Sequence, residues 1–162
     1  MVSIDNQPIK NPDKLMDVNK LEFEEEIFDL VFILEVLEHL KEPKKAIDQI
    51  YKILKSNGTI IVSTPFILEI HGAPNDYYRF TKYGLKHLLN GFNNIIIKER
   101  NSYFDSIVVL YIRLIRSRYF TDRFIGLFFL FISIVFYPLI YILSKIIRSD
   151  LITTGYVCSA RK

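Results

Sequence analysis

The first hundred residues alternate between short apolar runs and stretches in which apolar residues recur at helical spacing. The run FDLVFIL is almost continuously apolar, which predicts a strand covered on both faces. Shorter strands are predicted at MVSID, which ends at Asp5, and at KLMDV, which ends near Asp17. The segments TIIVSTP, NIIIKER and, near the C-terminus, TTGYVCSAR complete the set of predicted strands.

Two helices are predicted between these strands. In EPKKAIDQIYKILKSNG, Pro43 suits the first turn, and Gly58 is expected to adopt the left-handed conformation that ends a helix. The apolar residues of this segment share one helical face: Ala46, Ile47, Ile50, Ile53 and Leu54. The segment TKYGLKHLLNGF predicts a second helix with Thr81 as its N-cap. Strands that alternate with helices predict an open, mainly parallel α/β sheet.

An apolar helical insert is predicted at residues 104–149, and the α/β domain is then formed by residues 1–103 and 150–162. Its central segment, FIGLFFLFISIVFYPLIYIL, has no charged residue and is long enough as one helix to cross about 30 Å of hydrocarbon. Pro138 within it, and the return of the chain to the last strand, favour a re-entrant or interfacial hairpin. The competing interpretation is a helix buried in the core or in a dimer interface.

The charge distribution supports a membrane surface as a partner. Residues 1–100 contain 13 basic and 15 acidic residues, whereas residues 101–162 contain 8 basic and 3 acidic ones. Because the basic part is also the most apolar, it favours contact with anionic headgroups on the inner face of a membrane and a cytoplasmic location. The basic residues expected there are Arg113, Arg116, Arg118 and Arg123, while Lys145 and Arg148 follow the apolar segment. No basic stripe or zinc-finger pattern indicates nucleic-acid binding.

The length and the cysteine content limit the fold. A chain of 162 residues indicates one domain with a modest core. The single cysteine, Cys158, cannot form an internal disulfide framework or a cysteine-rich zinc site. It is expected to be a small buried apolar residue.

Several segments together resemble one family. VSID, the DVNKLEF segment from Asp17 and the long stretch FDLVFILEVLEHLKEPKKAIDQIYKILKSNGTIIVSTPF resemble class I S-adenosyl-L-methionine (SAM)-dependent methyltransferases of the type 11-like group. The resemblance implies a Rossmann-like sheet and SAM as the cofactor. It also implies that Asp5 holds the ribose hydroxyls, that Asp17 and Val18 face the adenine, and that Leu34 and Glu35 pass the methionine end.

The family's glycine-rich first turn has no counterpart, because the first glycine of the chain is Gly58. The resemblance therefore starts at the family's second strand. Two explanations are open: an N-terminally truncated methyltransferase, or a decayed or split relative that cannot bind the cofactor alone. The alternative to an enzymatic function is a non-enzymatic subunit that docks or self-associates through an exposed sheet edge and the apolar insert.

The remaining candidates concern the methyl acceptor, which can be a glycan, a lipid-linked intermediate or a small molecule. His39 and His71 are candidate general bases, since imidazole titrates in the useful range, although each can equally be an ordinary loop histidine. The segment HGAPNDYYRFT resembles a segment of one bacterial sub-group of these enzymes, which predicts substrate contacts by Tyr77 and Arg79. Pairing of Arg79 with Asp76 is the favoured alternative for that arginine.

A metal site is an alternative role for the acidic residues after FDLVFIL. Glu35, Glu38 and His39, one helical turn apart, could bind a divalent ion together with His71. The preferred interpretation is that no metal is bound, that Glu35 and Glu38 are solvated acids in a first helical turn, and that His39 lines the transfer cleft.

Overall fold

The computed structural model describes residues 1–147 and 152–162, which form two compact units. The first unit contains Met1–Thr64, Gly72–Ile97 and Val157–Lys162. The second unit contains Pro65–His71 and Lys98–Tyr156. The segments with the family resemblance lie almost entirely in the first unit.

Six strands and five α-helices are present in the described residues. The strands are β1 (Ile4–Asp5), β2 (Lys14–Leu15), β3 (Phe28–Leu34), β4 (Leu54–Pro65), β5 (Asn93–Glu99) and β6 (Gly155–Arg161). The helices are α1 (Pro43–Ile53), α2 (Lys82–Leu88), α3 (Tyr103–Leu114), α4 (Phe120–Val135) and α5 (Tyr137–Ile146). Two short 3-10 turns lie at Pro8–Lys10 and Leu37–His39.

The strands form two sheets rather than one continuous sheet. Strands β1 and β2 pair in parallel, and the second sheet has the order β3-β4-β6-β5. Strands β3 and β4 are also parallel, with an irregularity between Phe28 and Leu30. Strands β4 and β6 run antiparallel, because Lys162 N donates to Gly58 O at one end and Phe66 N donates to Thr154 O at the other.

The core of the first unit forms where α1 packs on the larger sheet. The predicted apolar face of α1 is confirmed, because Ala46, Ile47, Ile50 and Ile53 are all buried. Burial in this core raises the pKa of the Cys158 thiol to about 11, since a thiolate loses its hydration there. The prediction of a buried cysteine is confirmed. Thr81 also caps α2 as predicted, accepting a hydrogen bond from Gly84 N.

The predicted role of Gly58 is wrong. Helix α1 ends at Ile53, and β4 begins at Leu54, so Gly58 lies inside a strand. The left-handed residue is Asn57, with φ of 67°. A Cβ atom on Gly58 would lie 2.8 Å from Lys55 O and 3.2 Å from Phe28 O. Glycine is therefore required by the close approach of two backbones rather than by a helix cap.

The prediction that FDLVFIL is covered on both faces is also wrong. In β3, Ile33 is 4% exposed, but Leu30, Phe32 and Leu34 are 43%, 55% and 51% exposed. Alternate side chains of a strand point to opposite faces, and β3 is an edge strand of the four-stranded sheet. One face of β3 is therefore open within the described residues.

The apolar segment of the second unit forms three helices. Ser102 and Asp105 form a capping box at the start of α3. No single described helix is both long enough and apolar enough to cross a membrane. Taken together, α4 and α5 have the length and apolar composition, but a bend of 77° separates them. Arg148, which is expected to flank this segment, lies outside the described residues.

Candidate functional site

Asp5 and Asp17 lie at the carboxyl ends of two parallel strands, Asp5 as the last residue of β1 and Asp17 just after β2. In the register of β1 and β2, Asp5 pairs with Leu15, and Asp17 follows two residues later. The Oδ1 atom of each aspartate accepts a hydrogen bond from the backbone N–H two residues on, of Gln7 and Asn19 respectively, at 2.8 Å. Among the described residues, the Oδ2 atoms accept no hydrogen bond. Each carboxylate is thus oriented by its own turn and retains an acceptor oxygen for a ligand.

Val18 and Leu34, the apolar residues expected near the cofactor, have different environments. Val18 is partly buried and packs against the core of the first unit. Leu34 is the last residue of β3, and its side chain is half exposed. Leu34 is therefore available to contact a ligand beyond the end of the strand, whereas Val18 also supports the fold.

Glu35 is held in a strained backbone conformation directly after β3. Its φ is 54°, in the left-handed region, which costs a residue other than glycine about 1–2 kcal/mol. The Glu35 N–H donates to Ser63 O at 3.0 Å, and Glu35 Oε1 accepts from Ser63 Oγ at 2.8 Å. Strain held in place by surrounding contacts is typical of functional positions. The carboxylate is consequently fixed at the carboxyl edge of β3 and β4.

Glu38 lies inside the fold rather than on a solvated helical turn. The predicted arrangement of Glu35, Glu38 and His39 on one helical face is wrong, because Glu35 is left-handed and the 3-10 turn begins only at Leu37. Glu38 is fully buried, so the interpretation of this residue as a solvated acid is also wrong. Its backbone oxygen accepts hydrogen bonds from the N–H groups of Tyr77, at 2.8 Å, and Tyr78, at 3.3 Å. Glu38 therefore anchors the Gly72–Arg79 loop.

The contacts of His39 define its tautomer. Its Nδ1 atom lies 2.5 Å from Asn75 O. A carbonyl oxygen can only accept, so Nδ1 carries the hydrogen and Nε2 is the basic nitrogen of the neutral ring. The Nε2 atom lies 3.8 Å from Glu38 Oε1, and the side chain is 28% exposed. The imidazole is thus oriented with Nε2 as the atom that can accept a proton, and with the Glu38 carboxyl group beside that atom.

Gly72, which sequence reasoning missed, packs against the imidazole of His39. Its φ is 67°, and a Cβ atom there would lie 2.9 Å from His39 Cε1. The loop then passes through a cis peptide bond between Ala73 and Pro74 before it reaches Asn75. Both the backbone conformation and the close approach require glycine at this position. No local pattern signals this contact, because the partner of the glycine is 33 residues away.

Arg79 is committed to an ion pair within its own loop. Its guanidinium donates two hydrogen bonds to the two carboxylate oxygens of Asp76, at 2.5 and 2.8 Å, and one to Tyr78 O. The hydrogen bond with Asp76 raises the pKa of Arg79, and the charges of Asp76, Glu38 and Glu35 act in the same direction. The favoured pairing with Asp76 is therefore present. A role of Arg79 in substrate binding stays a prediction.

Tyr77 is the more accessible of the two expected substrate residues. Its side chain is 41% exposed, and its hydroxyl donates to Asn75 Oδ1 at 2.8 Å. Since Asn75 O also contacts His39, the tyrosine and the histidine are oriented by the same loop residue. Contact of Tyr77 with a substrate stays a prediction.

His71 belongs to the second unit, unlike the other candidates. Its Nδ1 atom lies 3.4 Å from Glu69 O, and Glu69 itself pairs with Arg113 at 2.9 Å. Of the residues in the metal alternative, Glu35 contacts Ser63. Within the described residues of the first unit, only Glu38 and His39 adjoin each other. Metal binding and the catalytic role of His71 both stay predictions.

The second unit also contains a cavity of about 400 Å³ among its three helices. Its lining is mostly apolar: Asp105, Val108, Val109, Leu130, Ser133, Ile134, Tyr137 and Ile140. Asp105 accepts from Ser102 Oγ at 2.6 Å, and Ser133 Oγ donates to Phe129 O at 2.8 Å. Because these polar groups serve the helices, the cavity does not resemble a catalytic site.

Comparison with known proteins finds a family match that lies within the first unit. Residues 1–62 match a family described as a methyltransferase domain. The mitochondrial ubiquinone biosynthesis O-methyltransferase of Dictyostelium discoideum is 39% identical over an alignment of 87 residues, and the alignment covers 49% of this chain and 25% of that protein. The chain therefore spans about a quarter of the length of this curated relative.

Two solved structures show the same fold. A phosphoethanolamine N-methyltransferase of Haemonchus contortus in complex with SAM is 20% identical, with a TM-score of 0.54, over 90% of this chain and 36% of that one. A SAM-dependent methyltransferase from Archaeoglobus fulgidus is 17% identical, with a TM-score of 0.54, over 91% of this chain and 66% of that one. At these identities the likeness establishes the fold, and the prediction of a Rossmann-like α/β architecture is confirmed.

Proposed function

We propose that this chain, which is related to class I SAM-dependent methyltransferases, contributes to the transfer of a methyl group from SAM to an oxygen or nitrogen acceptor. The observation that carries the proposal is the pair of oriented carboxylates at the ends of two parallel strands, Asp5 as the last residue of β1 and Asp17 just after β2. Ligands of open α/β sheets bind at that edge. The match of residues 1–62 to a methyltransferase domain supports the same conclusion.

The residues present fit the adenosine end of SAM. A carboxylate with an acceptor oxygen, as in Asp5, suits the vicinal hydroxyls of a ribose, and Asp17 suits the amino group of adenine. Leu34 and Glu35 lie at the end of β3 and directly after it, and are positioned for the methionine end. When bound, SAM supplies an electrophilic methyl group on a sulfonium centre. The residues of this chain bind and orient it.

His39 is the residue proposed to accept the proton of the methyl acceptor. Its Nδ1–H is held by Asn75 O, so Nε2 is the atom that takes the proton when an acceptor hydroxyl or amine attacks the methyl carbon. The buried carboxyl group of Glu38 lies 3.8 Å from Nε2, next to the position that this proton would take. His71 is a second candidate for this contact.

The methionine end needs a contribution beyond these residues. A glycine-rich turn allows close backbone approach to a ligand, and residues 1–57 contain no glycine. We therefore assign to this chain the adenosine contacts, the part of the methionine contact made by Leu34 and Glu35, and the acceptor-side histidine. The remaining contact is assigned to a segment or partner that complements the chain.

The proposed acceptor is amphiphilic or lipid-linked. This choice rests on the apolar helices of the second unit and on the similarity to a protein named for O-methylation in ubiquinone biosynthesis. Incubation of the protein and methyl-labelled SAM with membrane extracts and with soluble extracts distinguishes a lipid-linked acceptor from a glycan or a small soluble one. Label that enters only organic-soluble products supports the lipid-linked class.

Binding of S-adenosylhomocysteine to the natural full-length protein, measured by calorimetry, tests the proposal. Asp5→Asn removes the charge that strengthens hydrogen bonds to the ribose, and a loss of affinity of about 10-fold is expected. Asp29→Asn is the matched control, because Asp29 is exposed in β3 and its ion pair is with Lys55. Equal affinity of wild type and Asp5→Asn would contradict the assignment.

A second candidate is a non-catalytic subunit that docks through β3. The observation in its favour is the exposed apolar face of this edge strand, formed by Leu30, Phe32 and Leu34. Replacement of Phe32 by Thr would weaken such an association without changing a cofactor site in the chain. Failure of the natural protein to bind S-adenosylhomocysteine, together with a Phe32-dependent complex, would favour this candidate.

A further inference from the structure

Helices α4 and α5 expose an unusually large apolar surface. Within α4 only Gly126 and Ser133 are buried, and no residue of α5 is buried. The exposed side chains include many large ones: Phe120, Phe124, Leu127, Phe128, Phe131, Ile134, Tyr137, Leu139, Ile142 and Ile146. Soluble proteins seldom leave contiguous apolar patches of this kind uncovered.

One face of α4 is already occupied by α3. Gly126 permits this contact, because a Cβ atom there would lie 3.0 Å from Tyr111 O and from Ile115 N. Phe129 stacks on Tyr111 with ring centroids 5.1 Å apart. At 100° per residue, the side opposite this contact carries Phe124, Phe128, Phe131 and Val135, which are 63%, 53%, 65% and 55% exposed. The exposed aromatic face of α4 is thus a continuous stripe that points away from α3.

Basic side chains are found at both ends of the apolar pair. Residues 113–147 contain five basic residues and one acidic residue, and none of the charges lies between Phe124 and Ser144. The cations of these two ends are Arg116 and Arg118 before α4, Arg123 in the first turn of α4, and Lys145 near the end of α5. The acid, Asp122, accepts a hydrogen bond from Ser117 Oγ at 2.6 Å. The charge complements an anionic surface at each end of the apolar stripe.

Aromatic rings accompany two of these cations. The guanidinium of Arg118 lies 4.8 Å from the centroid of the Tyr119 ring, and the ammonium of Lys145 lies 5.2 Å from that of Tyr141. Tyrosine with a neighbouring cation is the combination enriched at the level of lipid headgroups.

The dimensions favour a helix pair that lies in the interface. Helices α4 and α5 contain 16 and 10 residues, about 24 and 15 Å, and a straight span needs about 20 residues. The bend of 77° prevents them from acting as one straight span. Since cations flank both ends, both ends can remain at headgroup level while the apolar stripe enters the acyl region.

We infer that the exposed stripe of α4, together with α5, binds the surface of an anionic lipid bilayer and inserts into one leaflet. The anionic inner face of a cytoplasmic membrane has the required chemistry. This inference goes beyond the proposed methyl transfer, and it does not depend on cofactor binding. It would bring a lipid-linked acceptor and the first unit to the same surface.

Flotation of the natural full-length protein with vesicles tests the inference. Vesicles of phosphatidylcholine containing about 30% phosphatidylglycerol are expected to carry most of the protein upward, and pure phosphatidylcholine vesicles a smaller fraction. The triple variant Phe124→Ser/Phe128→Ser/Phe131→Ser is expected to lose binding to both. Tyr83→Ser is the matched control, since Tyr83 is 73% exposed on α2 outside this surface.

A second variant separates charge from apolar insertion, so that the test does not depend on the folding of the triple serine variant alone. Arg116→Gln/Arg118→Gln should reduce binding to the anionic vesicles several-fold and leave binding to neutral vesicles unchanged. Circular dichroism verifies that each variant keeps its helices. Protein that stays in the soluble layer with both vesicle types overturns the inference. So does an oligomer that the triple serine variant converts to a monomer, because a second copy of the chain then covers the stripe.

Discussion

At the scale of single residues, the contact between Gly72 and His39 shows how the candidate base is positioned. The imidazole is held on one side by the Asn75 carbonyl and on another by a glycine that leaves room for only a hydrogen. These contacts join residues more than 30 positions apart in the sequence. The orientation of His39 is therefore a property of the loop and not of the histidine alone.

Gly72→Ala is expected to lower kcat of methyl transfer by at least about 10-fold with a smaller change in KM for SAM. The added methyl group meets His39 Cε1 at 2.9 Å and displaces the ring from its hydrogen bond. The measurement is steady-state kinetics across a pH series. Gly91→Ala is the control, because a Cβ atom there has nothing within 4 Å. A destabilised Gly72→Ala protein with unchanged kcat would show that Gly72 serves only the fold.

Cys158 predicts a specific dependence of stability on pH. Burial raises the pKa of its thiol to about 11 from an ordinary value of 9.0 in the unfolded chain. The unfolded thiol ionises first as the pH rises, so the stability contributed by the neutral buried thiol is present below pH 9.0 and is lost toward pH 11. The expected loss is about 2–3 kcal/mol in the free energy of unfolding.

Urea unfolding of wild type and Cys158→Ala between about pH 8 and pH 11 provides the check. Tyrosine and lysine ionisation affects both proteins, so the difference between their slopes isolates the thiol. Parallel stability curves for the two proteins would mean that the thiol pKa is not shifted by folding.

At the scale of elements, Gly58 lies where β4 closely approaches β3. Gly58→Ala places a methyl group 2.8 Å from Lys55 O and 3.2 Å from Phe28 O, and backbone atoms cannot move aside as a flexible side chain can. The expected loss is about 1–3 kcal/mol in the free energy of unfolding. Thermal and urea unfolding measure it, with Gly84→Ala as a comparison because its nearest neighbour lies 3.5 Å away. Equal stability would imply that β4 shifts without cost.

The elements that the sequence predicts well are those with local signals. The apolar period of α1, Pro43 in its first turn and the Thr81 cap of α2 act within a few residues, and all three are present. The predicted end of α1 is wrong. Glycine is required at position 58 because β3 approaches closely there, and this non-local contact cannot be read from the neighbouring sequence. The exposed face of β3 could not be predicted, since an apolar run does not reveal whether anything covers it.

The same limit applies to the candidate site. The resemblance to methyltransferases identifies Asp5, Asp17 and Glu35 as cofactor-binding candidates, and each does lie at or just beyond a strand end. The hydrogen bond between His39 and Asn75, the fully buried Glu38 and the packing of Gly72 depend on the path of a loop from a different part of the chain. No local pattern encodes that path.

At the scale of the whole molecule, the two units have different proposed tasks. The first unit presents carboxylates at strand ends and a histidine in the 3-10 turn after β3, and the second presents an apolar and basic helical surface. The two tasks are proposed to be independent because they belong to different units. Cofactor affinity and vesicle binding can be measured separately to test this. Asp5→Asn should therefore leave flotation with anionic vesicles unchanged, and the triple serine variant of α4 should leave S-adenosylhomocysteine affinity unchanged.

The central claim is that the Asp5 carboxylate binds the ribose of SAM, and a cycle of two proteins and two ligands tests it most directly. Calorimetry compares S-adenosylhomocysteine with its 2′-deoxy analogue on the natural protein and on Asp5→Ala. We predict that the missing hydroxyl weakens binding about 10-fold or more to wild type and has little effect on Asp5→Ala. An equal loss of affinity in both proteins would contradict the claim, since the hydroxyl would then be recognised by another group.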